Sequence, residues 1–317
     1  MPVRQTMRPS FLITGILAAL PAGSLKIATS LQWIEHTPQA YAIENFYNGS
    51  SAASLTSGGV FNLAADSSVD LAANAETQGL RVLPDNKNIR LIYVICEAGY
   101  RLVASRASGI ETLADLKGKR IGTMRGTSAQ YFVAKLLETA GVSASDYTIV
   151  AGGVCMRAPC GEGTFPQMLA DGQIDAFGIW EPAVELGIQA LGLDDAVVFQ
   201  NTSIYREVYS LYTTTEKLAD EETRGDIVEF VRALNQTLDV FTNQPESVYS
   251  FVADEIGMDA AVVEDVWPEH KWTGTWDESL LDFIVQEDQW LANEDGRAAV
   301  SEAELDEFLD ESIIAEL

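Results

Sequence analysis

Short apolar runs separated by polar corners recur along the first two thirds of the chain, and helical periodicity takes over in the last third. Leu25–Thr29 is one such run, ending at the polar and aromatic stretch Ser30–Pro38, after which Gln39–Tyr47 has helical composition. The pattern predicts a βα unit with a loop at the carboxyl end of the strand. Val69–Ala73 predicts a second strand that turns at Asn74–Gln78 into another helix, and Ile89–Cys96 is the clearest strand of this half, continued by the extended segment Tyr100–Ser105. Leu113–Leu116 reads as a short helix stopped at Gly118; a strand to Gly122 follows, and then a helix opened by Gly126-Thr127-Ser128-Ala129 and closed at Gly141.

Tyr147–Ala151 is the next predicted strand, followed by the loop 152–163, a helix capped by Thr164, and the buried strand Ile174–Ile179, which delivers Trp180-Glu181-Pro182 at its carboxyl end. Tyr205–Thr213 is extended again. Beyond Thr215 the chain is helical and acidic, in segments 216–241, 245–256, 259–266, 277–290 and 301–315. Strands that end in helix-opening corners predict parallel sheets with a site along their edge. At 317 residues one uniform core is too large for a usual domain. The expected plan is therefore α/β and two-lobed: residues 25–105 with 206–317 form the first lobe and its C-terminal helices, and 106–205 form a second lobe inserted between two crossings. Such a plan supports hinge closure around a ligand.

Charge narrows the partners. Twenty Lys and Arg against 47 Asp and Glu give a formal charge of −27, a field that repels phosphate backbones and excludes nucleic acid as the partner. Arg4 and Arg8 followed by the apolar run Phe11–Leu20 and small residues to Ser24 have the layout of a secretory signal over 1–24. That run is too short to span a bilayer, so no membrane insertion is expected, and the location is secreted or periplasmic. Of three cysteines, Cys155 and Cys160 suit a loop disulfide in an oxidising compartment, with Cys96 a buried small hydrophobe. The two histidines, His36 and His270, stand in no ligand spacing with the cysteines, and neither a metal nor a cofactor is expected.

Four motifs, in order and spacing, carry a resemblance: 113–122 (Leu-Ala-Asp-Leu-Lys-Gly-Lys-Arg-Ile-Gly), Arg125-Gly126-Thr127-Ser128-Ala129, Gly172-Gln173-Ile174-Asp175-Ala176 and Trp180-Glu181-Pro182. Together they resemble the substrate-binding proteins of nitrate, sulfonate and taurine importers and the fungal thiamine-pyrimidine synthase relatives that share their fold. The resemblance covers about residues 110–185, with a looser match elsewhere. It implies a hinged type II periplasmic-binding-protein-like fold, a monomer, a small-molecule ligand and, for the importer branch, a membrane transporter as partner. It also implies that the turn Arg125–Ala129 faces the cleft, where backbone N–H groups and two hydroxyls can receive sulfonate-like or other anionic oxygens; plain N-capping by Thr127 or Ser128 is the alternative.

The other corners offer further candidates. Trp33 supplies a flat apolar wall or a core aromatic, and His36 a polar contact that titrates near neutral pH or a loop residue. Asn74, Glu76 and Thr77 follow the second strand and face the cleft, with helix capping by Asn74 as the alternative. Trp180 and Glu181 occupy the matching corner of the other lobe, where Glu181 either meets the ligand or pairs with an arginine. Arg157 lines the cleft or sits on a braced surface loop. The synthase relatives use a lysine and a histidine at positions that here read Asn74 and Gln78, so no amine is present to hold pyridoxal phosphate. Reversible capture without chemistry is the expected function; a thiamine-pyrimidine enzyme, and a secreted interaction module that has lost its ligand, are the alternatives.

Overall fold

The structure, a computed structural model, describes residues 24–317; the expected leader falls outside the described residues but for Ser24. β1 (Leu25–Thr29) passes through a 3-10 turn, Ile34–His36, into α1 (Thr37–Asn45), and β2 (Ala53–Ser57), α2 (Val60–Ala65), β3 (Leu71–Ala75), α3 (Glu76–Val82) and β4 (Ile89–Ala98) follow. Next come β5 (Arg101–Ser105), β6 (Arg120–Gly122), α4 (Ser128–Glu138), β7 (Thr148–Val150), α5 (Phe165–Ala170), β8 (Ala176–Ile179), α6 (Ala183–Leu191) and β9 (Ala196–Phe199). β10 (Glu207–Thr214) leads to α7 (Thr215–Ala219), α8 (Glu221–Asn243), α9 (Tyr249–Ile256), α10 (Ala260–Val266), β11 (His270–Trp272), α11 (Ser279–Asp295) and α12 (Glu302–Phe308).

Two sheets result. One has the order β11-β4-β10-β3-β1-β2 and the other β7-β6-β8-β5-β9. In each, the βα strands run parallel and a returning strand is antiparallel: β10 against β3 and β4, β5 against β8 and β9. The first sheet is buried on both faces, which is why its central strands read as continuous apolar runs. Leu25 and Ile27 join one buried cluster with Phe230, Leu234 and Phe241 of α8. Ala28, Ala72 and Leu91 join another with Leu80 of α3, Ile284 of α11 and Phe308 of α12.

Several expected boundaries move. Arg101–Ser105 pairs with β8 and β9 in the second sheet, so the first crossing falls at Gly99–Tyr100 and not after residue 105. The strand expected at Val69–Ala73 is shifted to Leu71–Ala75, which leaves Asn74 within it. The helix expected over 216–241 is divided at Asp220, whose side chain accepts the Thr223 N–H and caps α8. The segment 301–315 is α-helical only to Phe308; Leu309 then bridges to Leu91 of β4, and a 3-10 turn, Ile314–Glu316, follows. The edge strands β2 and β11 carry no apolar run that predicts them, while β9 is a short apolar run, Ala-Val-Val-Phe, that is not among the expected strands.

Candidate functional site

The carboxyl ends of β1, β3 and β8, the start of β10 and the amino end of α4 meet at one cavity of about 130 Å³. Trp33, Glu35 and His36 come from the corner after β1; Asn74, Ala75 and Gln78 from the β3–α3 corner; Glu207 and Tyr209 from β10; Thr127 and Ser128 from the start of α4; and Trp180 from the corner after β8. The two indoles meet edge to face across the cleft, centroids 5.2 Å apart at 69°. Clefts for drug-sized ligands run to about 300–1,000 Å³, so this one suits a small molecule. Wider surface hollows exist, one of about 410 Å³ beside Leu25, Lys26 and Asp70, but that hollow lies at the amino ends of parallel strands, the end opposite to where such sheets place ligands.

Local folding explains each side chain's position. Between β1 and Trp33 the backbone of Leu31 is left-handed, φ 61°, a conformation costing a branched residue about 1–2 kcal/mol that turns the corner sharply. His36 is then drawn under the strand end. Its Nδ1 lies 2.6 Å from Thr29 Oγ1 and 2.7 Å from the Tyr209 hydroxyl, and accepts the Ser30 N–H at 3.1 Å. An accepting Nδ1 assigns the ring proton to Nε2, which faces Ser30 Oγ at 3.2 Å. Burial pushes His36 down to about 3, so the ring is neutral at physiological pH, which departs from the expected titration near neutrality.

Buried acids surround this corner. Glu35 and Glu207 are each 4% exposed, and Glu207 Oε2 has no hydrogen-bond partner. Burial pushes Glu35 up to about 7 and Glu207 well above the carboxylate range, where repulsion by Glu35 adds to it. His270 Nε2 lies 3.9 Å from Glu35, beyond hydrogen-bond reach, and burial holds that imidazole down at about 4. Across the cleft, Thr127 caps α4: its Oγ1 accepts the Ala129 N–H at 3.2 Å and donates to Met124 O at 2.8 Å. Ser128 Oγ stands 2.9 Å from the Tyr100 hydroxyl, on the crossing between sheets.

Of the residues singled out in the sequence, Trp33, His36, Asn74, Thr127, Ser128 and Trp180 come together in the cavity, and Gly126 and Ala129 flank it in the cap of α4. Asn74 does not cap α3, which has no side-chain cap; its Oδ1 instead accepts the Val60 N–H at 2.7 Å and holds the start of α2. The others do not line the cavity. Glu76 is fully buried behind it, accepting the Tyr205 hydroxyl at 2.7 Å and the Val208 N–H at 2.6 Å, and Thr77 is buried on the same turn. Glu181 is held by Arg101, Nε to Oε1 2.6 Å, and accepts the Glu185 N–H at 3.0 Å, which is the arginine-paired alternative. Arg125 is directed away, reaching Ile149 O at 3.5 Å on an exposed edge. Arg157 pairs at the surface with Asp259 at 3.0 Å, on the loop where Cys155 and Cys160 are bonded. Glu35, Gln78, Glu207 and Tyr209 are lining residues that the sequence does not single out as ligand contacts.

The family model described as NMT1/THI5 like matches residues 54–248, more than half of the chain. The chain belongs to the NMT1/THI5-like family. A Bacillus subtilis (strain 168) relative named for binding aliphatic sulfonates is 27% identical over 205 residues, which are 65% of this chain and 58% of the relative. The periplasmic aliphatic sulphonate binding protein SsuA of Escherichia coli superposes with a TM-score of 0.68 at 15% identity, covering 89% of this chain and 91% of its own. The desulfurization enzyme DSZB superposes with a TM-score of 0.61 at 14% identity, covering 92% of this chain and 98% of its own. The fold is that of the periplasmic binding proteins, and it hosts both binding proteins and an enzyme. Among the described residues no helix is long and apolar enough to cross a membrane and no side-chain group is arranged to hold a metal.

Proposed function

We propose that this NMT1/THI5-like chain is a solute receptor that reversibly captures one small polar molecule between its two lobes. The observation that carries the reading is the convergence of Trp33, Asn74, Thr127 and Trp180, from four separate corners of two sheets, on one cavity. Neither sheet forms that cavity alone, so a guest held there favours the closed arrangement of the lobes, and the two crossings at 99–100 and 200–206 are the natural hinge. On this reading residues 25–98 with 207–317 move against 101–199. The chain acts outside the cytoplasm as a monomer and hands its ligand to a membrane transporter, as importer receptors do.

The test is a melting-temperature screen of the purified chain against sulfonates, nitrate, amino acids, amines and pyrimidines. A ligand-dependent rise that is lost in Trp33→Ala and Trp180→Ala supports capture in the cleft; no rise with any class contradicts it. An enzyme of the synthase type requires an amine for pyridoxal phosphate, and the cavity presents Asn74 and Gln78 instead. Incubation with pyridoxal phosphate distinguishes that alternative, because an internal aldimine absorbs visible light.

A further inference from the structure

The lining of the cavity favours one ligand charge. Glu35 and Glu207 both face it, each 4% exposed, and Glu207 Oε2 is left without a hydrogen-bond partner. A buried carboxyl oxygen that finds no partner in the protein is costly unless a ligand supplies one, and a cationic N–H beside it favours the ionised, accepting form that burial alone opposes. Neither lysine nor arginine lines the cavity. Arg101 is committed to Glu181 and Glu185; Arg81 stands outside the lining, binds Asp295 through Nη2 and leaves its Nε without a partner. The amino end of α4, which would draw an anion, is partly spent: Gln130 Oε1 accepts the Gly126 N–H at 2.8 Å and Thr127 Oγ1 takes that of Ala129. Around the two acids stand Trp33, Trp180 and Tyr209, whose ring faces attract cations by about 0.5–2 kcal/mol.

We infer that the ligand is a small organic cation, a protonated amine or amidine, whose N–H groups are received by Glu35 and Glu207 between the rings of Trp33, Trp180 and Tyr209. The inference rests on the capture reading and specifies the ligand class for the same cavity. The indole N–H of Trp180, which has no protein partner, is available to an acceptor atom elsewhere on the ligand. The long-range field of a chain with formal charge −27 raises the local concentration of cations.

Protonation follows. Burial pushes Glu35 up to about 7, so a cation that ionises this carboxyl displaces its proton and binds more tightly as pH rises. The groups facing Glu35 are Glu207 and Tyr209 of β10, Cys96 of β4, Tyr100 at the crossing, and the neutral imidazoles of His36 and His270. None of these is a cation at physiological pH that could reverse the sign.

Isothermal titration of the full chain with ethanolamine, acetamidine and methylguanidine, beside ethanesulfonate and nitrate, at pH 5.5 and 8.0, tests the inference. The expected result is binding by at least one cation that tightens about tenfold between the two pH values and weakens about tenfold or more in Glu207→Gln, with a flat trace for both anions. Because Glu207→Gln alters a buried site, the pH dependence of the wild type is the independent reading. Binding of ethanesulfonate or nitrate that weakens with rising pH overturns the cation assignment and leaves capture in the cleft standing. Silence from every cation also overturns it, and the broader melting screen then decides whether the capture reading falls as well.

Discussion

Replacing Glu35 with glutamine removes a buried carboxyl whose ionisation the fold opposes. In the unfolded chain the group ionises near 4.5; in the fold burial pushes it up to about 7, because a charge at this depth loses its hydration and gains no cationic partner. A folded value above the unfolded one means that the native state holds the proton longer. The stability tied to this group is thus fully present below pH 4.5 and is lost as pH rises through about 7. The rise from 4.5 to about 7, at about 1.4 kcal/mol per unit, amounts to about 3 kcal/mol at about pH 7.5. Glu35→Gln carries no such penalty, so its unfolding free energy relative to wild type rises by up to about 3 kcal/mol between about pH 4.5 and 7.5. Urea denaturation of both proteins across this range measures the difference. A gap that stays constant with pH, or a variant less stable than wild type at the alkaline end, refutes the burial argument.

Other substitutions separate the site from its support. Trp33→Ala and Trp180→Ala each remove an aromatic wall worth about 1–2 kcal/mol of ligand contact, so affinity falls about tenfold in each by titration while both proteins remain folded. Glu181→Gln breaks a buried pair with Arg101, costs about 3 kcal/mol in denaturant unfolding, and leaves the affinity of the folded protein unchanged; a selective loss of affinity would return Glu181 to the site. Reduction of the Cys155–Cys160 bond opens a short loop and costs about 2 kcal/mol by chain entropy, seen as a lower melting temperature with the cavity intact. The neutral His36, pushed down from 6.5 to about 3, opposes acid. Its share of stability is full above 6.5 and is lost as pH falls from there towards 3, and His36→Asn flattens the acid limb of the stability curve; an unchanged limb would contradict the buried neutral ring.

The strand tips were legible because a strand buried on both faces has to be apolar along its length and to stop where the chain meets the cleft. Trp33, Asn74 and Trp180 follow from that rule, whereas the place of Thr127 rests on the resemblance of the turn Arg125–Ala129 to that of the importer receptors. What escaped is of two kinds. The edge strand β2, Ala-Ser-Leu-Thr-Ser, is partly exposed along its length and carries no apolar run, and β11 is defined only by its pairing with β4. Glu207 and Tyr209 reach the cavity because β10 inserts antiparallel between β3 and β4, a pairing across more than a hundred residues that no local pattern announces. The choice between ligand contact and arginine pairing at Glu181 stayed open for the same reason, since its partner Arg101 lies on a strand expected in the other lobe. Glu35 did carry a signal, an acid close to Trp33 and His36 at a strand tip, and its burial is what gives that position its chemistry.

Native mass spectrometry of the chain freshly purified from its own host, beside the Trp33→Ala/Trp180→Ala double variant, tests capture in the cleft most directly. One small molecule retained by the wild type and absent from a folded double variant is the predicted result. A wild type that carries nothing under gentle ionisation, or an adduct kept equally by both proteins, contradicts it.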